Sequence, residues 1–524
     1  MIEELKNCNK ISLDILNIIN SIYEEIILYK DTLKEELKII SLFDRFDIIY
    51  RKCYNLLIQL WQLTVKLYRD IWYIFEGEHA LSNPQNQQKD TPSMNIYSPS
   101  YDYRKKDSSI IYVDDDAHPG GNGSLAHPYQ HIQDGIDASD EGDIIFVNEG
   151  FYSEHLSIGK SIEIVGQDKY KTVIDGKKRP HHLIWVTGKN VKMRGFTIQN
   201  SAKFHFSCGI ILYSSNITIK GNIFKNNCVG LGLGPNSSNN RIEDNIFQNN
   251  ILMGFAIDSK DQINNVIKNN SFENNDMFGL YTVNNYNIIE NNNFVNDGIF
   301  ISISDKQLVP EINNNIVNGK PLVCYKNLSN FKISNAGQII LSKCNNGIIN
   351  SVNLSNTDTS IYVLSSSEIN ITNCNISNNL VGICLQSSND IIILNNNISN
   401  NSWSGIWLYE SDKNLISNNF LDRNNYGMFF FSSSRSYIQN NGFNNNSVGV
   451  SCLSSSRNNK ILENNLINNN ENAFDKCKNH WKKNYWDDWI GLKRSFIKWW
   501  PYNVPGRLFL NFDWHPANEP YDLT

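Results

Sequence analysis

Asn396-Asn397-Ile398-Ser399-Asn400-Asn401-Ser402-Trp403-Ser404-Gly405-Ile406-Trp407-Leu408-Tyr409 is the stretch on which the fold turns. An apolar residue, Ile398, has Asn two positions before it and two after it, and Gly405 opens an alternating apolar run. The same pattern returns roughly every 22 residues. Working outward gives one apolar column: Phe224, Phe247, Phe272, Phe294, Ile316, Ile333, Leu354, Ile376, Ile398, Phe420, Phe443 and Leu466. Two residues after it runs a second column, Asn226, Asn249, Asn274, Asn296, Asn318, Asn335, Asn356, Asn378, Asn400, Asp422, Asn445 and Asn468. Two residues before it runs a partial third, Asn222, Asn245, Asn270, Asn292, Asn314, Asn396, Asn418, Asn441 and Asn464. Gly382, Gly405, Gly427 and Gly449 form a fourth.

A repeat of this length with alternating apolar positions describes one coil of a parallel β-solenoid. Coils stack at the strand spacing of about 4.8 Å, so like residues fall over like. Apolar columns then fill the interior. Asn tolerates the left-handed backbone of a tight corner, and its amide can bond the amides above and below. Gly is expected to serve the other corner. Runs of Asn are poor helix formers, which excludes a helical solenoid. The Leu-rich signature of a leucine-rich repeat is missing. The expectation is a mainly β chain, a parallel solenoid of about a dozen coils.

The rest of the chain divides around that repeat. Residues 1–76 lack proline and carry apolar stripes at steps of three and four, beginning Ile11, Ile15, Ile18, Ile22 and Ile26. They read as an α-helical hairpin or a coiled-coil arm for self-association. Residues 77–108 have the composition of a linker. Residues 109–178 form the opening turns and an N-terminal cap, 179–478 the repeats, and 479–524 a Trp-rich tail. An open solenoid end exposes core and strand edge, so the tail is expected to seal it.

The 524 residues carry 47 basic and 53 acidic side chains, a net charge of −6, which gives no reason to expect a nucleic-acid partner. No uncharged apolar stretch of about 18 residues predicts a membrane span. The N-terminus has no basic segment followed by an apolar run, so no signal peptide is visible and the compartment is left open. Ten cysteines without regular pairing read as scattered thiols.

Several segments resemble a known family. Ile111-Tyr112-Val113-Asp114-Asp115-Asp116, His127-Pro128-Tyr129-Gln130-His131-Ile132-Gln133-Asp134-Gly135-Ile136-Asp137, Ser161-Ile162-Glu163-Ile164-Val165-Gly166 and Val173-Ile174-Asp175-Gly176 look like the opening of NosD-like right-handed parallel β-helix proteins. Asn318-Gly319-Lys320-Pro321-Leu322-Val323, with Asn335-Ala336-Gly337-Gln338-Ile339-Ile340, is similar to a break in that family's repeat. Asn484-Tyr485-Trp486-Asp487-Asp488-Trp489 resembles its C-terminal segment. The resemblance spans 109–524 and implies a pectate-lyase-like fold, in a group described as carbohydrate-binding proteins and sugar hydrolases. These motifs build corners and caps, so they specify a fold and not a reaction.

The copper in the family's label finds no ligands here. His181 and His182 point to opposite faces of a strand, and only His205 lies between His182 and His480. Neither metal nor cofactor is expected. Asn356-Thr357-Asp358 resembles a polygalacturonase tripeptide, but its usual companions are missing. Arg194, Arg241, Arg423, Arg435 and Arg457, with Asp258, Glu290, Glu410 and Asp412, could serve a lyase or epimerase only if they converged. Asp114-Asp115-Asp116 reads as a turn rather than a Ca²⁺ site. The better signal is outward. Counting from the glycines, Trp407, Tyr409, Phe429 and Phe431 face away from the core, with Cys384 and Gln386 one coil earlier. Tyr213 and Tyr281 are expected further along. Stacked exposed aromatics suit sugar rings, so a non-catalytic polysaccharide-binding or surface-interaction scaffold is the leading expectation. A polysaccharide-modifying enzyme (lyase, epimerase or hydrolase) and a purely structural protein are the alternatives.

Overall fold

The computed structural model describes residues 108–524 apart from 180, 204–205, 284–285, 303–308, 490–500, 507–510 and 524. The helical stripes of 1–76 and nearly all of the 77–108 linker lie outside the described residues. What is described is a parallel β-solenoid of about 15 turns. That is more than the dozen read from the Asn columns, because the opening turns before Phe224 carry few of the marker asparagines.

Each early turn contributes to three sheets. A nine-stranded sheet runs from Ile110–Val113 to Glu311–Asn313, and a seven-stranded one from Leu156–Ile158 to Ile299–Ile301. The third starts at Gly150–Tyr152 and continues for sixteen strands to Glu471–Asp475. Later turns complete their circuit with an eight-stranded sheet (Ser329–Ile333 to His480–Lys482) and a seven-stranded one (Asn353–Ser355 to Tyr485–Trp486). The helix Ile132–Ala138 buries Ile132 and Ile136 at the N-terminal end. Its first N–H groups are satisfied by Glu154, whose carboxylate oxygens accept from Ile132 and Gln133 at 2.9 and 3.0 Å.

The registers place like over like. Phe224, Phe247, Phe272 and Phe294 pair in sequence, and their rings stack at 4.8, 4.9 and 4.8 Å. The column then continues on Val317, not Ile316, which is 45% exposed. Later, Leu354, Ile376, Ile398, Leu421, Phe443 and Leu466 are in register. Phe420 is 46% exposed and Leu421 takes its place inside. Ile333 belongs to a different sheet, where it pairs with Ile349. The cause is the same at Ile316 and Phe420. Where two Asn precede two apolar residues, a one-residue slip exchanges inside for outside.

The third column shifts with it. Main-chain N–H and side-chain Nδ2 of Asn222 both donate to Oδ1 of Asn245 (2.9 and 3.3 Å), and the pattern repeats through Asn270, Asn292 and Asn315. A second ladder climbs Asn396, Asn419, Asn441, Asn464 and Asn484. Asn315 and Asn419 are thus the rungs, while Asn314 and Asn418 take the left-handed backbone, at φ 53°. The corner column is left-handed too, from Asn226 (φ 55°) to Asn468 (φ 55°), with Arg423 where Asp422 was expected and Asn335 the exception. The glycines differ in reason. None of Gly382, Gly405, Gly427 and Gly449 has a positive φ. A Cβ on Gly382 would lie 2.5 Å from the carbonyl oxygen of Gly405, so close approach of adjacent coils demands glycine there.

Two ladders end on aspartate. Asn227, Asn250 and Asn275 lead to Asp297, and Asn484 leads to Asp513. A last rung must accept from the rung below, and a carboxyl oxygen does so. Asp513 also accepts from Lys483 N, Trp486 Nε1 and His515 N. Around it the tail closes the end: Val504 is fully buried, and Tyr502 stacks on Trp486 at 4.0 Å. Asp513→Ala is expected to cost on the order of 2–3 kcal/mol by orphaning buried donors. Amide hydrogen exchange checks it: Lys483 and Asn484 should lose protection, while Asn222 and Asn245 keep theirs.

Among the described residues the repeat reverses at one place. Ile316–Val317 pairs antiparallel with Lys320–Lys326 through a turn at Asn318 and Gly319 (φ 49° and 75°). The reversal turns the sixteen-stranded sheet over. Before it, Phe294 and Val317 face a first core. After it, Ile339, Leu341, Ile361, Val363, Ile383 and Leu385 face a second core. Their alternates Ile340, Tyr362, Leu364 and Cys384 join the first. One sheet thus walls two interiors. Side chains of the later turns also satisfy the unpaired edge at Ile299–Ile301. Gln338 Oε1 accepts from Ile299 N (3.0 Å), Gln338 Nε2 donates to Ile299 O (2.8 Å), and Tyr362 Oη donates to Ile301 O (2.9 Å).

Candidate functional site

The turned-over sheet decides where the outward aromatics lie. Its outer side, after closing the first core through Ile340, Tyr362 and Cys384, continues along the rod as Trp407, Phe429, Ser451 and Phe474 in one column. Gln386, Tyr409, Phe431 and Leu453 form the next. Alternation from the corner glycine sets both columns, since Ile406, Leu408, Met428 and Phe430 are fully buried on the other side.

Trp407 is only 8% exposed and packs with the first core. Its Nε1–H is buried with no hydrogen-bond partner among the described residues. Tyr409, Phe429 and Phe431 are half-buried. The Tyr409 and Phe431 rings stack at 5.3 Å and 5°. Two further aromatics join them: Trp403 meets Trp407 edge-on at 4.3 Å and lies 6.0 Å from Phe429, while Tyr426 meets Phe429 at 5.1 Å. Counting by twos from glycine passes over both, because they precede Gly405 and Gly427. Trp403 stands four residues before Trp407, and that spacing was the available signal. Tyr281 belongs instead to the seven-stranded sheet of the earlier turns, pairing with Ala256 and Phe300, and Tyr213 directly follows the strand Cys208–Leu212 of that sheet. The break nonetheless brings Tyr281 into the surroundings of Tyr362, whose phenol burial holds well above its ordinary value.

The charged candidates do not converge. Arg194 pairs with Glu163, Arg241 with Glu243, Glu290 with Lys268, Arg423 with Asp422 and Arg435 with Asp412. Asp258 is largely buried, which raises its pKa, and it accepts from Gln262. Glu471 lies on the same sheet two strands beyond Tyr426, and burial raises its pKa. Asp358 is buried at the break, accepts from Gly279 N at 3.2 Å, and has its pKa raised by burial and by the charge of Asp297. The acidic run at 114–116 brings its carboxylates within 4.8 Å of one another. Asp114 accepts from Asn148 Nδ2 and Asp116 N, and Asp115 from Phe151 N, so these groups hold the first turns together. His182 Nδ1 accepts from Cys208 N at 2.9 Å, and burial lowers its pKa to about 4. Among the described residues no helix is long and apolar enough to cross a membrane.

Residues 312–491 match the family described as periplasmic copper-binding protein (NosD). Residues 130–294 and 182–335 match the right-handed β-helix region. No curated protein matches the chain in sequence. Among solved structures it is similar to the A-module of mannuronan C-5 epimerase AlgE6 of Azotobacter vinelandii, at 17% identity and TM-score 0.34, over 60% of this chain and 88% of that one. It is also similar to the catalytic unit of a GH87 α-1,3-glucanase of Streptomyces thermodiastaticus, at 12% identity and TM-score 0.27, over 74% and 69%. Rice weevil pectin methyl esterase overlaps at 12% identity and TM-score 0.26, over 50% and 82%.

Proposed function

As the chain is a right-handed parallel β-helix protein, its interior is spent on packing and its chemistry falls to the outward faces; we propose that the face around Trp403, Trp407, Tyr409, Tyr426, Phe429 and Phe431 binds polysaccharide without transforming it. The observation that carries this reading is the half-exposed Tyr409–Phe431 pair, stacked in parallel planes, set beside a buried indole N–H with no partner among the described residues. Half-exposed aromatic rings stacked on adjacent strands leave a continuous apolar strip against which a sugar's C–H groups can pack. A desolvated donor next to them gains an acceptor from a hydroxyl-rich ligand, and leaving it unmet costs about 1–3 kcal/mol. Arg423 and Arg435, the nearest arginines in sequence, are engaged in ion pairs, which supports binding over lyase or epimerase chemistry.

The enzyme reading has one observation in its favour. Glu471, two strands beyond Tyr426 on the same sheet, has a raised pKa, the property a general acid needs next to a glycosidic oxygen. Affinity electrophoresis of the full chain through gels containing soluble polysaccharides tests the proposal. Tyr409→Ala and Phe431→Ala are each expected to weaken retention about tenfold, the worth of one aromatic stack. Retention by none of the polysaccharides, or retention unchanged in both variants, overturns it. Release of reducing ends or unsaturated products that Glu471→Gln abolishes would move the assignment to the enzyme.

A further inference from the structure

We propose that the corner joining the sixteen- and eight-stranded sheets in the last coils binds an acidic polysaccharide, through a row of cations that is no part of the Tyr409–Phe431 face. The corner is built on a buried ladder: the main-chain N–H groups of Ser388, Ser411 and Ser433 each donate to the next hydroxyl, up to Ser456, at 3.0, 2.9 and 3.1 Å. Beside it the left-handed residues Asn346, Glu368, Asp390, Lys413, Arg435 and Asn458 follow one another coil by coil. The charge along them turns from acid to base between Asp390 and Lys413. In the neighbouring column Ser434 N donates to Asp412 Oδ1 at 2.7 Å, and Arg457 N to Ser434 Oγ at 3.2 Å. Lys478 ends the row, its carbonyl accepting from Asn458 N at 2.8 Å. Each of four successive coils thus puts an exposed cation here: Lys413, Arg435, Arg457 and Lys478.

Lys460 adds a fifth on the adjoining strand, in register between Tyr437 and His480. Tyr437 fixes it, since Lys460 Nζ donates to the phenol oxygen at 2.8 Å and stands 4.6 Å over the ring. Acids are fewer. Residues 410–414, 432–437, 454–460 and 476–480 hold six Lys and Arg side chains against two carboxylates, Glu410 and Asp412. Asp412 is paired with Arg435. Among the described residues Lys413, Arg457, Lys460 and Lys478 make no ion pair. The excess is local, because the chain as a whole carries −6.

Cations held one coil apart, about 4.8 Å, repel one another, and an anion lying along them relieves that repulsion. Neighbours in the row are well inside the Debye length of about 8 Å at physiological salt, so they act on one ligand together. The row is narrow and runs along the rod, which suits a linear polymer rather than a lipid surface. Its step is close to the length of one sugar ring. A chain with a carboxylate or sulfate on each sugar therefore meets a cation at each coil, in charge-assisted pairs. Single-stranded nucleic acid also wants aromatic rings for its bases, and Tyr437 is engaged by Lys460.

Affinity electrophoresis of the full chain, through gels containing polygalacturonate or chondroitin sulfate and with dextran as the neutral control, tests the row. Retention by an acidic polymer is expected at low salt and should fall about tenfold when salt is raised. Arg457→Gln combined with Lys478→Gln, both exposed, should weaken it about tenfold, and Tyr409→Ala should leave it within about twofold. Asp390→Lys extends the row by one coil and should strengthen retention about threefold. Retention by neither acidic polymer, or retention that both the double variant and Asp390→Lys leave unchanged, overturns the proposal. Tighter binding to single-stranded DNA or to phosphatidylserine vesicles at the same salt overturns it as well. Retention lost only in Tyr409→Ala overturns it too, and leaves the aromatic face standing as the carbohydrate site.

Discussion

Phe247→Ala is expected to destabilise the solenoid by about 3–5 kcal/mol, the range for truncating a fully buried phenylalanine. Three contacts go at once: the stacks on Phe224 and Phe272, at 4.8 and 4.9 Å, and the one on Phe255 at 6.1 Å. The cavity opens mid-column, where backbone ladders above and below hold neighbouring coils at fixed spacing and limit collapse. In a stacked repeat protein stability is close to a sum of neighbour terms, so the loss should concentrate around that coil. Urea unfolding that is single-step in the parent is expected to split in the variant, with the early coils melting first. The matched control is Phe420→Ala. That ring is exposed, and its truncation should change stability by no more than about 0.5 kcal/mol. A cost below about 1 kcal/mol at Phe247, or a larger cost at Phe420, would contradict the register.

The second large effect concerns Asp297 and Asp358. Burial raises both carboxyls, Asp297 to about 8; the charge of Asp297 raises Asp358 further, and those of Glu273 and Asp276 raise Asp297. The folded protein therefore holds a proton at this pair at pH values where the unfolded chain, with carboxyls near 4, has released it. Stability from this source is full below about pH 4 and is lost as pH rises towards 8, by up to about 1.4 kcal/mol per pH unit for each such proton. His182 acts in the opposite sense. Its lowered pKa makes the folded state weaker as pH falls from about 6.5 towards 4. The difference between the parent and Asp358→Asn isolates the pair. Relative to the parent, the variant should gain stability steadily from pH 4 to pH 8. A difference that is flat with pH, measured by denaturant midpoints, would show that the pair does not share a proton.

Much of this molecule can be read from one repeat, and the places where reading failed have physical causes. Phe247 and Phe272 declare themselves because a single large ring stands alone among polar neighbours. Asn314-Asn315-Ile316-Val317 and Asn418-Asn419-Phe420-Leu421 do not, since either apolar residue satisfies the spacing and only contact with the next coil chooses. The outward position of Trp407 and Tyr409 follows from alternation. The burial of Trp407 does not, because it depends on a sheet that changes sides at Gly319. Asn318-Gly319-Lys320-Pro321 marks the break in the repeat, but it says nothing of what the far side of the sheet will meet. The Asp297–Asp358 pair is invisible for the same reason, being two groups from different coils brought together by the break.

That common sheet has a consequence for how the chain is inherited and handled. Cut at Gly319, neither piece would be whole: one would lack the lid that Ile340, Tyr362 and Cys384 place over its open top, and the other would show those greasy side chains to water. The two lengths are like houses built against a party wall, which neither owner can demolish alone. Coils can be gained or lost within either length during evolution, but the lengths themselves must be made, and kept, as a pair.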